Sequence, residues 1–287
     1  MGVHGLLPLL REVAPRAFTR VEVRGRVAVD IPIFMYKFGY LVGTGRPLCA
    51  KMLSFANDLR LRGMEPVFVF DGKNLPAKAA EIAKRKEQHT KQLIKLLQPL
   101  PQSLHVGDMD IEVEVAMKPS CLPIWEDYQA VRMCLEAAGY QIYQAKFEAE
   151  ALCSFLYSTG EVLAIITEDS DVLAYLCGSC ILHCNSKEET VNVNLAMEDM
   201  DLVPAQFVDL CVLLGNDFNP RIKNIGPKKS LALLKKYGTL DRILDWGRIW
   251  NPCIRELSEQ DIEAMRYTRK IFQSFCGEKC DIEMPIE

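Results

Sequence analysis

Seven acidic residues fall where apolar, strand-like runs end or helical patterns begin. They are Asp30, Asp71, Glu148, Glu150, Asp169, Asp171 and Asp217. A single acid at such a position is as often a helix cap as a functional group. The two i, i+2 pairs carry more weight, because in extended or turn backbone this spacing points both carboxylates the same way. In open α/β sheets, ligands bind beyond the carboxyl ends of the strands, so we expect these side chains to converge there.

Carboxylates that converge repel one another, by about 3 kcal/mol for a pair at ~5 Å in an effective dielectric of ~20. Hard divalent cations relieve this repulsion, and Mg²⁺ commonly takes one or two carboxylates while keeping several waters. The four histidines show no paired spacing, which disfavours a zinc hydrolase. Two Mg²⁺ ions about 4 Å apart are a common device for in-line attack on a phosphodiester. The acids therefore predict a metal-dependent phosphodiesterase.

The charge distribution predicts a nucleic-acid substrate despite a net charge of −4. Residues 221–236 contain six basic side chains and no acid, and residues 71–95 contain seven basic side chains against three acids. Local basic patches, rather than the average charge, mark phosphate binding. A helix with a solvated lysine face is the alternative for either run.

Three apolar, β-rich runs at 26–30, 66–71 and 162–166 predict buried strands, each followed by a helical pattern. This alternation predicts an α/β fold whose mostly parallel central sheet has helices on both faces. The helices are expected over 46–63, 76–97, 124–139, 147–158, 204–214, 226–237 and 258–275. No repeat or low-complexity linker divides the chain, so we expect a single domain over 1–287.

Prolines interrupt the segment 98–123, and within it residues 108–115 alternate acidic and apolar side chains, which predicts a one-sided strand. Its acids, Asp108, Asp110, Glu112 and Glu114, are better explained as a solvated strand face than as another metal site.

The 287 residues are 49% hydrophobic and 25% charged, which is typical of a globular protein. No apolar run approaches the ~20 residues that span a bilayer, and the N-terminal residues match neither a signal peptide nor a myristoylation motif. We expect an intracellular protein whose eleven cysteines are free thiols. Cys177, Cys180, His183 and Cys184 suggest a zinc site, but they form a single segment and fit a turn running into a buried strand better.

Six motifs, in order and over roughly residues 1–240, resemble the flap endonuclease (XPG-type 5′-nuclease) family. They are Met1-Gly-Val-His-Gly-Leu-Leu, Val27-Ala-Val-Asp30, Val67-Phe-Val-Phe-Asp-Gly-Lys73, Phe147-Glu-Ala-Glu150, Thr167-Glu-Asp-Ser-Asp171, and Leu214-Gly-Asn-Asp217 through Lys228. The resemblance implies a PIN-like nuclease core that uses two Mg²⁺ ions, or Mn²⁺ in their place, to cut branched or 5′-ended DNA. A DNA-containing compartment such as the nucleus, and roles in DNA repair and replication, are then expected.

The resemblance also implies roles for the acids. One ion would be held by Asp71, Glu150 and Asp169. The other would be held by Asp169, Asp171 and Asp217. Asp30 and Glu148 would hold metal-bound waters.

Four further residues match single functional positions of the family. Lys78 and Arg85 match the basic pair that steers the scissile phosphate, and a separation of seven residues puts them on one helix face. Tyr36 matches the aromatic residue on which a terminal base stacks. Gly2 matches a glycine beside the DNA, where the missing side chain permits close approach.

Residues 217–237 resemble the helix–two-turn–helix that grips duplex backbone, often with a K⁺ ion on main-chain carbonyls. Gly226 would lie in the turn, and the helix N-terminus with Lys228 and Lys229 would favour a phosphate.

The chain departs from the family pattern in several places. Residues 74–126 would form the arch or cap insertion, in which the acidic 108–115 segment partly replaces the usual arch. The stretch from Asp30 to Asp71 is short, which puts a full 3′-flap pocket in question. The last residues, Met284–Glu287, lack the motif by which many relatives bind the sliding clamp. We expect a monomer without a membrane partner.

Of three alternative functions, one stays open and two are disfavoured. A 5′→3′ exonuclease or an RNA endonuclease on the same core stays open, because metals and phosphates do not distinguish the sugar. A catalytically silent nucleic-acid-binding scaffold conflicts with the retention of all seven carboxylates, Lys78 and Arg85. A P-loop enzyme is disfavoured because Gly226-Pro-Lys-Lys-Ser lacks both the leading glycine and the Gly-Lys junction.

Overall fold

A computed structural model describes residues 2–20, 22–73, 75–79, 82–85, 87, 90–91, 122–175, 180–183 and 189–274. Its strands are β1 (Phe18–Thr19), β2 (Gly25–Asp30), β3 (Met64–Phe70), β4 (Gln141–Gln144), β5 (Ala164–Thr167), β6 (Cys180–His183) and β7 (Glu189–Asn192). They form one seven-stranded sheet in the order β1-β7-β6-β5-β2-β3-β4. All pairings from β6 to β4 are parallel, and β7 and β1 extend one edge antiparallel.

The helices, in chain order, are α1 (Leu6–Val13), α2 (Ile31–Val42), α3 (Arg46–Leu61), α4 (Trp125–Ala137), α5 (Ala149–Ser158), α6 (Val172–Tyr175), α7 (Val193–Met200), α8 (Pro204–Leu214), α9 (Pro227–Tyr237), α10 (Leu240–Trp250), α11 (Pro252–Arg255) and α12 (Glu259–Ser274). Short 3₁₀ turns form at Pro15–Ala17 and Pro76–Lys78. Among the helices of the described chain, none combines the length and apolarity needed to cross a membrane.

The central strands are apolar throughout because the sheet is buried on both faces. In β2, Val27 and Val29 belong to one hydrophobic cluster, and Ala28 between them belongs to the other. Helices α2, α3 and α4 cover the first face, and α1 and α5 to α10 pack on the opposite side. Side chains in a strand alternate between faces, so a strand with two buried faces reads as a continuous apolar run. The predicted α/β fold is confirmed.

The three predicted strands are present as β2, β3 and β5. Each helix predicted outside residues 76–97 begins and ends within two residues of the predicted bounds. The helix predicted over 76–97 begins as the 3₁₀ turn at Pro76–Lys78 and is helical at 82–85. Strand β6 fits the predicted strand that follows the cysteine-rich turn. The acidic 108–115 segment, Cys177, Cys184 and residues 275–287 lie outside the described residues.

Three strands and several helices were missed by the sequence patterns. Strands β1, β4 and β7 have two to four residues each, which is too short for a clear period-2 pattern. Helix α2 carries apolar side chains on most of its surface, so it shows little amphipathic contrast. The thiols of Cys49, Cys134, Cys153, Cys211 and Cys253, which the structure describes, are free as expected.

Candidate active site

The carboxyl ends of three neighbouring parallel strands carry the first acids of the site. Asp30 is the last residue of β2, Asp71 directly follows β3, and Asp169 lies two residues beyond the end of β5. Because β2 pairs with both β3 and β5 in parallel, these ends meet at one edge of the sheet. The predicted convergence of acids at strand ends is therefore realised for these three residues.

Backbone and hydroxyl donors fix the orientation of these acids. Thr167 Oγ1 donates to Asp30 Oδ2 at 2.7 Å and accepts from the backbone N–H of Asp169 at 3.0 Å. The N–H of Asp171 in turn donates to Asp169 Oδ1 at 3.0 Å. The N–H of Ala149, at the start of α5, donates to Asp71 Oδ1 at 2.8 Å. These bonds leave the remaining carboxylate oxygens available to other ligands.

One cavity of about 110 Å³ gathers six of the seven predicted acids. They are Asp30, Asp71, Glu148, Glu150, Asp169 and Asp217. The predicted Tyr36, Lys78 and Arg85 line the same cavity. Asp171 is not part of the lining. It is 1% exposed and lies next to Asp169, to whose carboxylate its backbone is bonded.

Asp71, Glu148 and Glu150 form the tightest group, with one carboxylate oxygen from each within 4.8 Å of the others. Asp71 reaches solvent at the mouth of the cavity, while Glu148 and Glu150 are buried. Although Asp71 is accessible, the surrounding protein displaces hydration and, with the charges of Glu150 and Glu148, raises the pKa of Asp71 to about 8. Three oxygens this close are suited to a shared cation.

The other carboxylates show the same electrostatic conflict. Burial, with the nearby charge of Glu150, raises the pKa of Asp169 to about 6. Burial also raises the pKa values of Asp30, Glu150 and Asp171, and the neighbouring carboxylates add to these increases. Loss of hydration and like charges both disfavour the ionised form. In the protein without a metal, the cluster therefore retains protons at pH values where isolated carboxylates would have lost them.

Two cations lie directly on this cluster. Lys78 pairs with Glu148, and Arg85 Nη2 lies 2.6 Å from Asp217 Oδ2. Burial lowers the pKa of Lys78, but Glu150, Glu148 and Asp71 outweigh that effect and raise the pKa above its ordinary value. Lys78 therefore stays charged. The sequence prediction that Lys78 and Arg85 face the same place is consistent with this arrangement.

Gly2 lies against the carboxylates, with a φ of +96°. A Cβ atom at this position would lie 2.2 Å from Asp169 Oδ1 and 2.7 Å from the backbone nitrogen of Ser170. No L-residue fits here without displacing backbone, and positive φ adds strain for any side chain. Close packing against Asp169 and Ser170 therefore requires glycine at this position.

A second surface lies at the turns between α8 and α9. Residues 217–237 contain these turns and α9, and the preceding helix, α8, ends at Leu214. Gly226 precedes α9, and nothing lies within 4 Å of its ideal Cβ position. Lys228 Nζ lies 2.5 Å from Glu12 Oε1 of α1, and Lys229 Nζ donates to the carbonyl of Asn224 at 3.1 Å. This surface borders a separate cavity of about 500 Å³.

The sequence patterns missed two residues of the first cavity and its surroundings. Thr167 closes β5 and could have been found from its strand-end position, which it shares with Asp30. Tyr128 lines the cavity from α4, and no spacing to a strand end marks it.

Comparisons with known proteins show which family the chain resembles. The model of the XPG N-terminal domain matches residues 1–92, and that of the XPG I-region matches residues 139–217. Flap endonuclease 1-A of Xenopus laevis is 30% identical over 266 residues, which cover 85% of this chain and 68% of the relative.

The fold is similar to two solved structures. One is the catalytic core of Rad2 in complex with DNA substrate, with a TM-score of 0.65 and 23% identity over 98% of this chain and 82% of that chain. The other is flap endonuclease-1 from Methanococcus jannaschii, with a TM-score of 0.61 and 20% identity over 89% of this chain and 81% of that chain. The chain therefore belongs to the XPG-type flap endonuclease family of structure-specific 5′-nucleases.

Proposed function

We propose that this nuclease hydrolyses DNA phosphodiester bonds near junctions between single-stranded and duplex segments, with two Mg²⁺ ions, or Mn²⁺ in their place. The cavity that combines six carboxylates with Lys78 and Arg85 carries this proposal. Carboxylates alone would repel a phosphate, and two cations alone would bind one without hydrolysing it. Their combination suits metal-assisted phosphodiester hydrolysis.

The donor set fits a hard divalent cation, because every side chain offered is an oxygen ligand. Asp30 Oδ1 and both carboxylate oxygens of Asp171 are buried and have no hydrogen-bond partner among the described residues. A buried acceptor without a partner is costly. Cations in the cluster would satisfy such atoms and lower the raised pKa values at the same time.

Each ion would be held by three carboxylates, one of them shared. The first set is Asp71, Glu150 and Asp169. The second set is Asp169, Asp171 and Asp217. Asp30 and Glu148 would hold metal-bound water. The bound ions would activate water for in-line attack and stabilise the leaving oxygen.

Lys78 and Arg85 would bind and orient the scissile phosphate. Both reach the carboxylate cavity and pair with acids there. Lys78 and Arg85 pair with Glu148 and Asp217 in the protein without metal. If bound metal ions neutralised these acids instead, the two side chains would become available to phosphate oxygens. A guanidinium suits phosphate through its planar fork, and an ammonium serves as a compact charge.

The DNA duplex would contact the turns before α9. The Rad2 core structure is a complex with DNA, which supports DNA as the substrate of this fold. The backbone N–H groups at the start of α9, with Lys228 and Lys229, would bind phosphate, and main-chain carbonyls of the turns would hold K⁺. Tyr36 would stack on a terminal base and Gly2 would let the strand approach. The protein would act as a monomer where DNA is present.

A metal titration on a panel of end-labelled substrates tests this proposal. The panel contains 5′-flap, nicked, blunt and RNA-containing duplexes, each with and without Mg²⁺ or Mn²⁺. We expect Mg²⁺-dependent endonucleolytic cleavage at the 5′-flap junction. Release of single nucleotides from nicked or blunt ends would instead assign a 5′→3′ exonuclease, and preferred cleavage of the RNA-containing duplex would assign an RNA endonuclease. Junction binding without cleavage in any metal would identify a silent scaffold.

A further inference from the structure

The chain segments that follow β3 and β4 stay hydrogen-bonded beyond the ends of both strands. Gln144, the last residue of β4, lies opposite Phe70, the last residue of β3, and Asp71 comes next in the chain. The N–H of Gly72 then donates to the carbonyl of Phe147 at 2.6 Å. The segment that carries Asp71 therefore runs beside the segment that leads into α5.

Gly72 marks how closely these two segments approach each other. A Cβ atom at this position would lie 2.1 Å from the carbonyl oxygen of Ala145 and 2.4 Å from that of Lys146. Both oxygens belong to the backbone, so no larger residue fits without moving it. The approach places Asp71 beside the start of α5, where the N–H of Ala149 donates to Asp71 Oδ1. The position of Asp71 relative to the acids at the start of α5 thus depends on contacts between the two segments.

The side chain of Gln144 adds a bridge to this arrangement. Its Nε2 donates to the backbone carbonyl of Asp71, and its Oε1 accepts from Arg132 Nη1 of α4 at 2.9 Å. Arg132 Nε donates in turn to Glu136 Oε1, one turn further along α4, at 3.0 Å. A guanidinium only donates and a carbonyl only accepts, so the group between them has to do both, as a primary amide does. The two partners thereby fix which way the amide of Gln144 faces.

We propose that Gln144 is a positioning residue of the metal site. Through the backbone carbonyl of Asp71 it holds the Asp71 carboxylate in place for the ion, and Arg132 holds the amide of Gln144. Gln144 does not line the carboxylate cavity, so it acts through Asp71 without touching the ion or the substrate. A ligand that is already held loses less freedom when the ion binds, which is how supporting groups affect metal affinity. The proposal rests on the metal-binding role proposed for Asp71.

Gln141→Met is the matched control, because Gln141 lies at the other end of β4 and makes the same kind of bridge. Its Nε2 donates to the hydroxyl of Tyr143 at 2.9 Å, and its Oε1 accepts from Arg26 Nη2 at 2.5 Å. None of these three residues lines the carboxylate cavity. A purely structural role of Gln144 would make its Met variant behave like this control.

The experiment uses the full chain in three measurements. Isothermal titration calorimetry gives the Kd for Ca²⁺ without substrate, and differential scanning fluorimetry gives Tm. Single-turnover cleavage of a 5′-flap DNA is followed across a Mg²⁺ titration at saturating enzyme. Methionine in place of glutamine removes both hydrogen bonds and keeps an unbranched side chain of similar length. The variants are Gln144→Met, Arg132→Met, their double variant, Arg132→Lys, Gln141→Met and Asp71→Asn.

We expect Gln144→Met to weaken Ca²⁺ binding by about two- to tenfold, as for loss of one hydrogen bond. The Mg²⁺ concentration that gives the half-maximal rate should rise by a similar factor. Excess Mg²⁺ should restore most of the rate, because every carboxylate ligand is still present. Gln141→Met should lower Tm and leave the Kd for Ca²⁺ unchanged.

The arginine variants test whether Arg132 acts through Gln144. Arg132→Met should weaken Ca²⁺ binding in the same direction, and the double variant should bind no more weakly than Gln144→Met, because both changes break the same bridge. Arg132→Lys keeps a donor for Gln144 Oε1 and should stay close to the wild type.

Three outcomes would contradict this inference. If Asp71→Asn loses Ca²⁺ affinity while Gln144→Met keeps it at the wild-type level, the positioning role is wrong and the metal role of Asp71 stands. If the losses of Gln144→Met and Arg132→Met add up in the double variant, Arg132 does not act through Gln144. If Asp71→Asn leaves Ca²⁺ binding unchanged, the metal role of Asp71 itself is wrong, and the inference falls with it.

Discussion

Arg85 Nη2 lies 2.6 Å from Asp217 Oδ2, so a cation that follows β3 is paired with an acid 132 residues further along the chain. Lys78 makes a similar pair with Glu148. Both cations thus rest on acids assigned to metal binding. In the protein without metal they offset part of the repulsion among the carboxylates. A divalent ion bound by these acids would have to compete with Lys78 and Arg85 for the same oxygens.

This competition predicts that Lys78→Ala binds Ca²⁺ more tightly than the wild type. Removing a positive charge beside Glu148 and Glu150 strengthens the attraction for a divalent ion, by about three- to tenfold in Kd for a modest coupling free energy. Isothermal titration calorimetry measures the change. Lys91→Ala is the control, because Lys91 pairs with Glu87 on the surface. Equal or weaker Ca²⁺ binding by Lys78→Ala would show that the ammonium does not compete with the metal.

Lys78→Ala and Arg85→Ala should each slow cleavage far more than they weaken substrate binding. Cations placed at a phosphate that gains charge act mainly in the transition state, so we expect the single-turnover rate to fall about a hundredfold. The Kd for a 5′-flap substrate should change by no more than about threefold. Losses in affinity at an unchanged rate would place both residues on a general DNA-binding surface.

Asp169→Ala should abolish cleavage and leave junction binding within a few-fold of wild type. The carboxylate is assigned to both ions, so its loss removes activation of water and stabilisation of the leaving oxygen together. Asp58→Ala, an exposed change on α3, serves as the control. Turnover above about a hundredth of the wild-type rate would be incompatible with a carboxylate shared by two ions.

The raised pKa values predict that the stability of the metal-free protein falls as the pH rises. The pKa of Asp71 is about 8 and that of Asp169 about 6 in the folded state, against 3.8 for a free aspartate. Between about pH 4 and pH 8 the folded state therefore binds more protons than the unfolded state, and the free energy of unfolding decreases with pH. Differential scanning fluorimetry from pH 5 to 8.5 measures the slope. Asp71→Asn should reduce it.

Saturating Mg²⁺ should raise Tm, and by more at pH 8 than at pH 5.5, because the ion and the protons compete for the same oxygens. At an ion concentration ~100 times Kd we expect about 5 to 10 °C. Asp58→Asn, far from the cluster, should behave like the wild type in both series. A Tm rise that is the same at both pH values would show that Mg²⁺ binds away from the protonated carboxylates.

Lys228→Ala/Lys229→Ala should flatten the dependence of DNA binding on salt. Removing one lysine–phosphate interaction reduces the slope of log K against log [salt] by about 0.9 on B-form DNA, so one to two such units are expected. The decrease in affinity should be equal for unrelated duplex sequences. Lys235→Ala/Lys236→Ala, at the other end of α9, is the matched control and should change the slope less. An unchanged slope in the first variant would show that the start of α9 does not bind the duplex.

Much of the site could be predicted because its acids lie at strand ends. Asp30, Asp71 and Asp169 follow apolar runs that could form only buried strands, and parallel strands bring their carboxyl ends to one edge. The i, i+2 pairs supplied two more positions. The residues that complete the cavity from helices gave no such signal. Tyr128 in particular reaches the site because α4 packs against α3 and β4, which depends on contacts between distant parts of the chain.

Sequence spacing also could not predict which of the acids line the cavity. Asp171 shares its turn with Asp169, yet it is buried outside the cavity lining, since the N–H of Asp171 turns back to Asp169. Short strands such as β4 and β7 were missed because four residues are too few for a clear period-2 pattern. Local sequence patterns predict helices and strands, whereas the burial of a side chain depends on how the helices pack against the sheet.

The acids of the cavity are spread along the chain from Asp30 to Asp217, with consequences for biosynthesis. Domains emerge from the ribosome amino end first. A nascent chain that has already exposed Asp30 and Asp71 still lacks the last carboxylate and the partner of Arg85. The carboxylate cavity can be completed only after the seven strands of the sheet have been made. A partly synthesised chain without Asp217 therefore cannot assemble the full set of cavity acids.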